Sequence, residues 1–299
     1  MSGSIRGSIV ALVTPMRADG SLDLAAFDRL IDWHVESGTH AVVVAGTTGE
    51  SATLSVQEHC DLVAHCVKVT GNRIPVIAGT GSNNTEEAFY FTESARQHGA
   101  DACLLVTPYY NKPSQEGLYQ HFKAVAERVD IPQILYNVPG RTACDLSLET
   151  VEKLANLDNI VGIKDATGDS PRGLRLIQRC GKRLAIYSGE DAITLPLMEG
   201  GADGTISVTA NVAPELMAEM CSLALSGDNE NARKINKKLD LLHSNLFLEG
   251  NPIPVKWALR QMGLIETGIR LPLVELGAKY HIQVIKALKQ AGIELSGAV

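Results

Sequence analysis

The sequence has no C-x-x-C pair, no block of basic residues, no long apolar run near its start and no Gly/Ser/Pro-rich stretch that would serve as a linker. Each absence removes a class of protein. The six cysteines (Cys60, Cys66, Cys103, Cys144, Cys180, Cys221) stand apart, most of them inside apolar patterns such as DACLLV. That usage suits small buried hydrophobes in a reducing compartment. The net charge is −7, and no basic patch stands out, so nucleic acid is a poor partner and an anionic membrane equally poor. The first apolar run covers only Ile9 to Val13, too short for a signal segment or a membrane span. A cytoplasmic protein is expected. The motifs H-x-H and H-E-x-x-H are missing too, which argues against a metal-dependent reaction.

Apolar content is ordinary, at 45%, so a packed core is expected. One pattern recurs along the chain. A short β-branched run ends in small or polar residues and is followed by a segment of helical period. The runs are SIVALVTP, AVVVAGTTGE, IPVIAGTGS, DACLLVTPYYN, PQILYNVPG, IVGIKDATG, LAIYSGED and DGTISVTAN. They are continuously apolar rather than alternating, as parallel strands covered on both faces are. Between them, Leu24, Phe27, Leu30, Ile31 and Val35 recur at the helical period, Thr85 with two glutamates opens a second helix, and Ser147 opens another. Eight such units predict an α/β fold, a (β/α)8 TIM barrel over residues 1–224, with a C-terminal helical extension over 225–299. An open doubly wound sheet is the alternative.

In a barrel the chemistry lies where the strands run out. There the sequence places Thr47, Thr48, Tyr110, Tyr136, Arg141, Lys164, Gly189 and, on the last strand, Ile206. Lys164 ends an apolar run. It is either a structural lysine paired with Asp165 or a Schiff-base lysine. An apolar strand end disfavours the ammonium, and a free amine can attack a ketone. Tyr136 lies one strand earlier, where its phenol could relay protons; it could equally be an amphipathic core tyrosine. Thr48 could add a hydroxyl to the relay or simply close its own turn. Arg141, after NVPG, is either a surface arginine or a bidentate clamp for a carboxylate. The GTTGE segment lacks the lysine of a P-loop and the third glycine of a dinucleotide fingerprint.

The segments GTTGE, VTPYYNKPSQEGLYQHF, YNVPGRT, GIKDATGD and SGEDA, taken together and in order, resemble the pyruvate-dependent class I aldolases, the family of N-acetylneuraminate lyase. The likeness runs from about Ile5 to past Trp257. It implies condensation of pyruvate with L-aspartate 4-semialdehyde to 4-hydroxy-tetrahydrodipicolinate, in the diaminopimelate route to lysine, with no cofactor beyond the lysine itself. Under this resemblance Lys164 forms the imine, Tyr136 and Thr48 relay protons, and Tyr110 completes the relay in a neighbouring subunit. Arg141 binds the carboxylate of the aldehyde, while Thr47, Gly189 and Ile206 surround pyruvate. The partners implied are the two small-molecule substrates and further copies of the chain, a dimer of dimers. Sialic acid or sugar-acid lyases share the lysine and tyrosine, and Arg141 argues for the synthase chemistry. A barrel that binds small molecules without turnover is the remaining alternative.

The resemblance also implies feedback by lysine at a subunit interface. The matching positions are Ser51, Ala52, His59, Asn83, Glu87 and Tyr109. Val56 departs from the pattern and removes a contact, so weak inhibition is expected.

Overall fold

The computed structural model describes residues 5–296. The eight apolar runs are eight strands: β1 (Gly7–Ala11), β2 (Ala41–Val44), β3 (Val76–Gly79), β4 (Ala102–Val106), β5 (Gln133–Asn137), β6 (Ile160–Asp165), β7 (Ala185–Ser188) and β8 (Gly204–Ser207). Each pairs in parallel with the next. β8 returns to β1, with Ile206 opposite Ile9, so the sheet closes. Closure excludes the open sheet and gives the (β/α)8 barrel.

The strands are apolar throughout because both faces are covered. One parity faces the barrel interior: Ile9, Ala11, Val43, Ile77, Leu104, Ile134, Tyr136, Tyr187 and Ile206 pack together there. The other parity, including Val10, Val42, Val44, Leu105, Leu135, Ile163 and Ile186, packs outward against the helices. Burying one aliphatic side chain contributes roughly 1.5–3 kcal/mol, so both parities select apolar residues and no alternation survives.

The helices are α1 (Leu24–Glu36), α2 (Val56–Thr70), α3 (Thr85–Gln97), α4 (Gln115–Arg128), the single turn α5 (Pro139–Thr142), α6 (Leu148–Leu154), α7 (Ser170–Cys180), α8 (Thr194–Glu199), α9 (Pro214–Ser226), α10 (Asn229–Asn245), α11 (Ile253–Gln261) and α12 (His281–Gln290). Side chains of Asp23, Ser55, Asn84, Ser114, Ser147 and Asp169 accept first-turn N–H groups, which supplies donors the helix cannot satisfy itself. In α1 the buried face is Ala26, Phe27, Leu30, Ile31 and His34. Leu24 is exposed and Val35 only half-buried. The stripe is rotated towards His34, whose Nδ1 lies 2.9 Å from the Thr39 hydroxyl. Its Nε2 is buried without a hydrogen-bond partner among the described residues, so only one side of the ring is satisfied there.

The barrel carries one irregularity that matters for chemistry. At the start of the β5–β6 pair, Gln133 lies opposite Ile160, but Ile134 lies opposite Gly162. Val161 is the extra residue of a bulge and is exposed. Beyond it Tyr136 pairs with Lys164. Were Val161 paired in the ladder instead of bulged out of it, Tyr136 would face Ile163, and Lys164 would point outward at the helices, because one step of register reverses a strand's faces.

After β8, α9 packs on β1 and α8, and α10 packs on α9 and α12. Helix α11 is buried from Ile253 to Leu259. It brings Lys256 to Glu50, whose side chain is fully buried, and the two form an ion pair. Glu50 stands at φ 56°, a left-handed conformation. It also accepts the Arg270 backbone N–H at 3.1 Å, and Arg270 clamps Glu58 at 2.6 Å. The C-terminal segment is thereby tied to the loop after β2. Among the described residues, no helix is long and apolar enough to cross a membrane.

Candidate active site

A cleft opens at the C-terminal mouth of the barrel. Thr47 and Thr48 reach it from the loop after β2, Tyr136 from β5, Arg141 from α5, Lys164 from β6 and Gly189 from the end of β7. Six residues far apart in sequence thus line one space, as the strand-end argument expects.

Lys164 is 6% exposed. Its Nζ sits 4.4 Å from the centroid of the Tyr136 ring and makes no hydrogen bond or ion pair with another described residue. Asp165 is not its partner. That carboxylate faces the opposite side of β6, where Oδ2 takes Arg172 Nε at 2.9 Å and Oδ1 takes the Thr167 hydroxyl at 2.5 Å. Of the two buried lysines, Lys256 is therefore spent on Glu50 while Lys164 faces the cleft. Gly189 lies hard against it: a Cβ there would meet Lys164 Cε at 3.0 Å and Ala166 Cβ at 2.5 Å. Only glycine lets the backbone approach the lysine this closely.

Thr48 is buried, and its Oγ1 accepts a hydrogen bond from Asn251 Nδ2 at 2.9 Å. With its oxygen engaged, the hydroxyl proton is free to point at another acceptor in the cleft. Arg141 is exposed at the rim and donates through Nη2 to the Asn251 carbonyl at 3.3 Å. Ile206 is fully buried in the barrel interior, below the residues that line the cleft. Tyr110 is 89% exposed, at φ 74°, and does not reach this cleft within its own chain.

A second cavity adjoins the first across Thr47, Val138 and Arg141. Ser51, Ala52, His59, Glu87 and Tyr109 line it, together with Val56. His59 is buried, stacks on Phe91 with ring centroids 4.3 Å apart, and its Nε2 donates to the Gly79 carbonyl at 2.7 Å. Burial lowers its pKa, against the Gly79 hydrogen bond and the Glu87 carboxylate. Glu87 accepts from the Ser82 hydroxyl. Asn83 stands outside the lining; its carbonyl accepts from Asn111 Nδ2 at 2.8 Å.

Glu190, Phe247 and Asn251 are among the cleft residues that the sequence reading did not single out. Glu190 follows Gly189 directly, and the strand-end rule could have found it. Burial and neighbouring Asp191 raise its pKa, while Lys164 and Arg141 oppose the rise. Phe247 and Asn251 lie in the C-terminal helical segment, beyond the last strand. No strand-end signal points to them.

The profile of the dihydrodipicolinate synthetase family matches residues 4–291. The chain is 59% identical over 289 residues to the 4-hydroxy-tetrahydrodipicolinate synthase of Alcanivorax borkumensis, covering 97% of this chain and 98% of that protein. Among solved structures it is similar to the chloride-inhibited dihydrodipicolinate synthase of Acinetobacter baumannii complexed with pyruvate, with TM-score 0.96, 56% identity, and coverage of 97% and 100%. It is also similar to the lysine-bound enzyme of Cyanidioschyzon merolae, with TM-score 0.93, 39% identity, and coverage of 97% and 99%.

Proposed function

The chain belongs to the dihydrodipicolinate synthetase family, and on that premise we propose that its barrel cleft works through a Schiff base between pyruvate and Lys164. The reaction is a class I aldolase-type lyase reaction. It condenses pyruvate with L-aspartate 4-semialdehyde to 4-hydroxy-tetrahydrodipicolinate, on the diaminopimelate route to lysine. One observation carries the assignment of the nucleophile: Lys164 is buried, unpartnered among the described residues and directed into the cleft over Tyr136.

The free amine of Lys164 adds to the pyruvate ketone, and loss of water leaves a protonated imine. That cation draws electrons from the neighbouring carbon, so a methyl proton departs and an enamine forms. Tyr136 and Thr48 move protons at these steps. Asn251 supports the role of Thr48 by occupying its oxygen and leaving its proton available. The enamine carbon then attacks the aldehyde, whose carboxylate Arg141 holds by charge-assisted hydrogen bonds. Ring closure by the substrate amine expels Lys164. Thr47, Gly189 and Ile206 are assigned to the surroundings of bound pyruvate.

The test is reduction with borohydride in the presence of pyruvate. A stable adduct on Lys164 is expected, and none in Lys164→Ala. Full modification of that variant would refute the lysine assignment. Turnover of pyruvate with the semialdehyde, set against cleavage of sialic acid, separates the synthase from a sugar-acid lyase. An adduct without turnover of either would favour the non-catalytic barrel.

The same reading extends to assembly and control. Tyr110 is a large aromatic left almost wholly in solvent on a strained backbone, which suits an anchor buried by a second copy of the chain. A homo-oligomer, as a dimer of dimers, follows, with Tyr110 serving the neighbour's relay. Tyr110→Phe should slow turnover while pyruvate still forms its adduct. An active monomer in sedimentation would refute this. The second cavity suits lysine as an effector, with Glu87 for its ammonium group. Exposed Val56 offers little to the ligand, so inhibition is weak. Titration with L-lysine to tens of millimolar, without effect on rate and without heat of binding, would remove the site. A reducing cytoplasm is the compartment that suits this reaction and six free cysteines.

A further inference from the structure

Two acceptors in the cleft have no part in the scheme above. Asn251 is 7% exposed, and while its Nδ2 donates to Thr48, its Oδ1 is buried without a hydrogen-bond partner among the described residues. Buried amide oxygens are nearly always paired, so this one has a donor to receive. Glu190 lines the same cleft, and its carboxylate makes no hydrogen bond or ion pair with another described residue.

The aldehyde substrate supplies what these acceptors lack. Its amino and carboxylate groups sit on one carbon, so their subsites must be neighbours. Arg141, which takes the carboxylate, donates to the backbone carbonyl of Asn251 itself. The guanidinium is thus joined to the residue that carries the unpaired amide oxygen, and both residues line the cleft with Lys164. We propose that Asn251 Oδ1 and the Glu190 carboxylate bind the amino group of aspartate semialdehyde and aim it at the imine carbon. The inference rests on the condensation read above and deepens it.

The ring-closing step then balances as follows. The substrate ammonium gives one proton to the Glu190 carboxylate. Its freed electron pair forms the C–N bond to the imine carbon, and the π pair moves to the Lys164 nitrogen. A second proton passes from the ring nitrogen to the Lys164 nitrogen. The bond from carbon to Lys164 breaks with its pair staying on Lys164, and the lone pair of the ring nitrogen forms the double bond, giving the cyclic imine with its last proton still on nitrogen. Burial and Asp191 raise the pKa of Glu190, which makes it a better proton acceptor than an ordinary carboxylate.

The test compares aspartate semialdehyde with succinate semialdehyde, the same aldehyde acid without the amine. In Glu190→Gln, the borohydride adduct of pyruvate and exchange of its methyl protons with deuterium oxide should persist. Its kcat/KM for aspartate semialdehyde should fall about ten- to a hundred-fold, the loss of a hydrogen bond to a charged group, while inhibition by succinate semialdehyde is unchanged. Asn251→Ala should show the same selectivity, with slower methyl exchange through Thr48 as an added effect. Equal losses for both aldehydes, or no loss for either, would overturn the amine subsite while leaving the imine chemistry standing. Failure of the wild-type protein to form the pyruvate adduct would bring down the Schiff-base reading and the subsite together.

Discussion

Replacing Lys256 by Met tests whether the C-terminal helices are part of the catalytic machinery's support. The pair it forms with Glu50 is buried, with side-chain exposures of 5% and 0%. Burial pulls the Lys256 pKa below its usual value, and the Glu50 carboxylate opposes that fall. Methionine keeps the length and the apolar stem but removes the charge. The Glu50 carboxylate is then left with the Arg270 N–H at 3.1 Å. Removing one partner of a buried pair costs about 3–5 kcal/mol, whereas neutralising both members often costs little. Glu50 closes the turn that presents Thr47 and Thr48, and it does so in a left-handed conformation that a non-glycine residue adopts only under constraint. Loss of the pair should therefore lower both stability and kcat. Adding Glu50→Gln removes the stranded charge while keeping the side chain's shape. Denaturant unfolding at one protein concentration, with kcat measured on the same samples, gives the cycle. The single variant should lose about 3–5 kcal/mol and the double variant should recover most of it. A double variant no more stable than the single would show that the stranded charge is not the cause.

Three other outcomes are expected. Gly189→Ala should cut the rate of pyruvate adduct formation by roughly a hundred-fold, since its methyl would lie 3.0 Å from Lys164 Cε and about 1 Å of misplacement is that costly; Ala166→Gly in the same chain should restore part of it. Arg141→Ala should cost roughly 1.5–3 kcal/mol in kcat/KM for the semialdehyde and leave the pyruvate adduct intact, as mass spectrometry of the reduced protein would read. Acid should destabilise the fold before the carboxylates titrate. Burial lowers His34 to about 3 and His121 to about 4, so below about 6.5 the unfolded chain takes up protons that the folded chain refuses. Stability is complete above that pH and falls as pH drops, by at most about 1.4 kcal/mol per unit for each histidine. His34→Gln should flatten the unfolding free energy against pH; an unchanged slope would refute the assignment.

How much of this was legible in the sequence follows from how far each signal travels along the chain. All eight strands could be read because a barrel strand is buried on both faces, and each apolar run carries that fact locally. The strand-end residues Thr47, Thr48, Tyr136, Arg141, Lys164 and Gly189 could be read with them, since a parallel barrel gathers its strand ends on one face whatever the details. Helix starts were nearly as clear, because a cap acts within three residues. The buried face of α1 was only approximately clear, because the choice between Leu24 and His34 depends on what packs against the helix.

The remaining features belong to the tertiary structure. Whether Lys164 points into the barrel or out at the helices depends on a single bulge at Val161. A run of Ile, Val, Gly and Ile reads the same with or without it, because apolar residues suit both faces. Likewise, Asn251 is an unremarked polar residue between two helical segments until the fold sets its side-chain amide against Thr48 and its backbone carbonyl against Arg141. Contacts that span more than a hundred residues leave no periodic trace in the chain. The sequence alone therefore determined the barrel and which residues gather at its mouth, through short-range burial and strand order. Only the folded molecule decided which way the lysine faces and what stands around it, because register and long-range packing are properties of neighbours rather than of the segment itself.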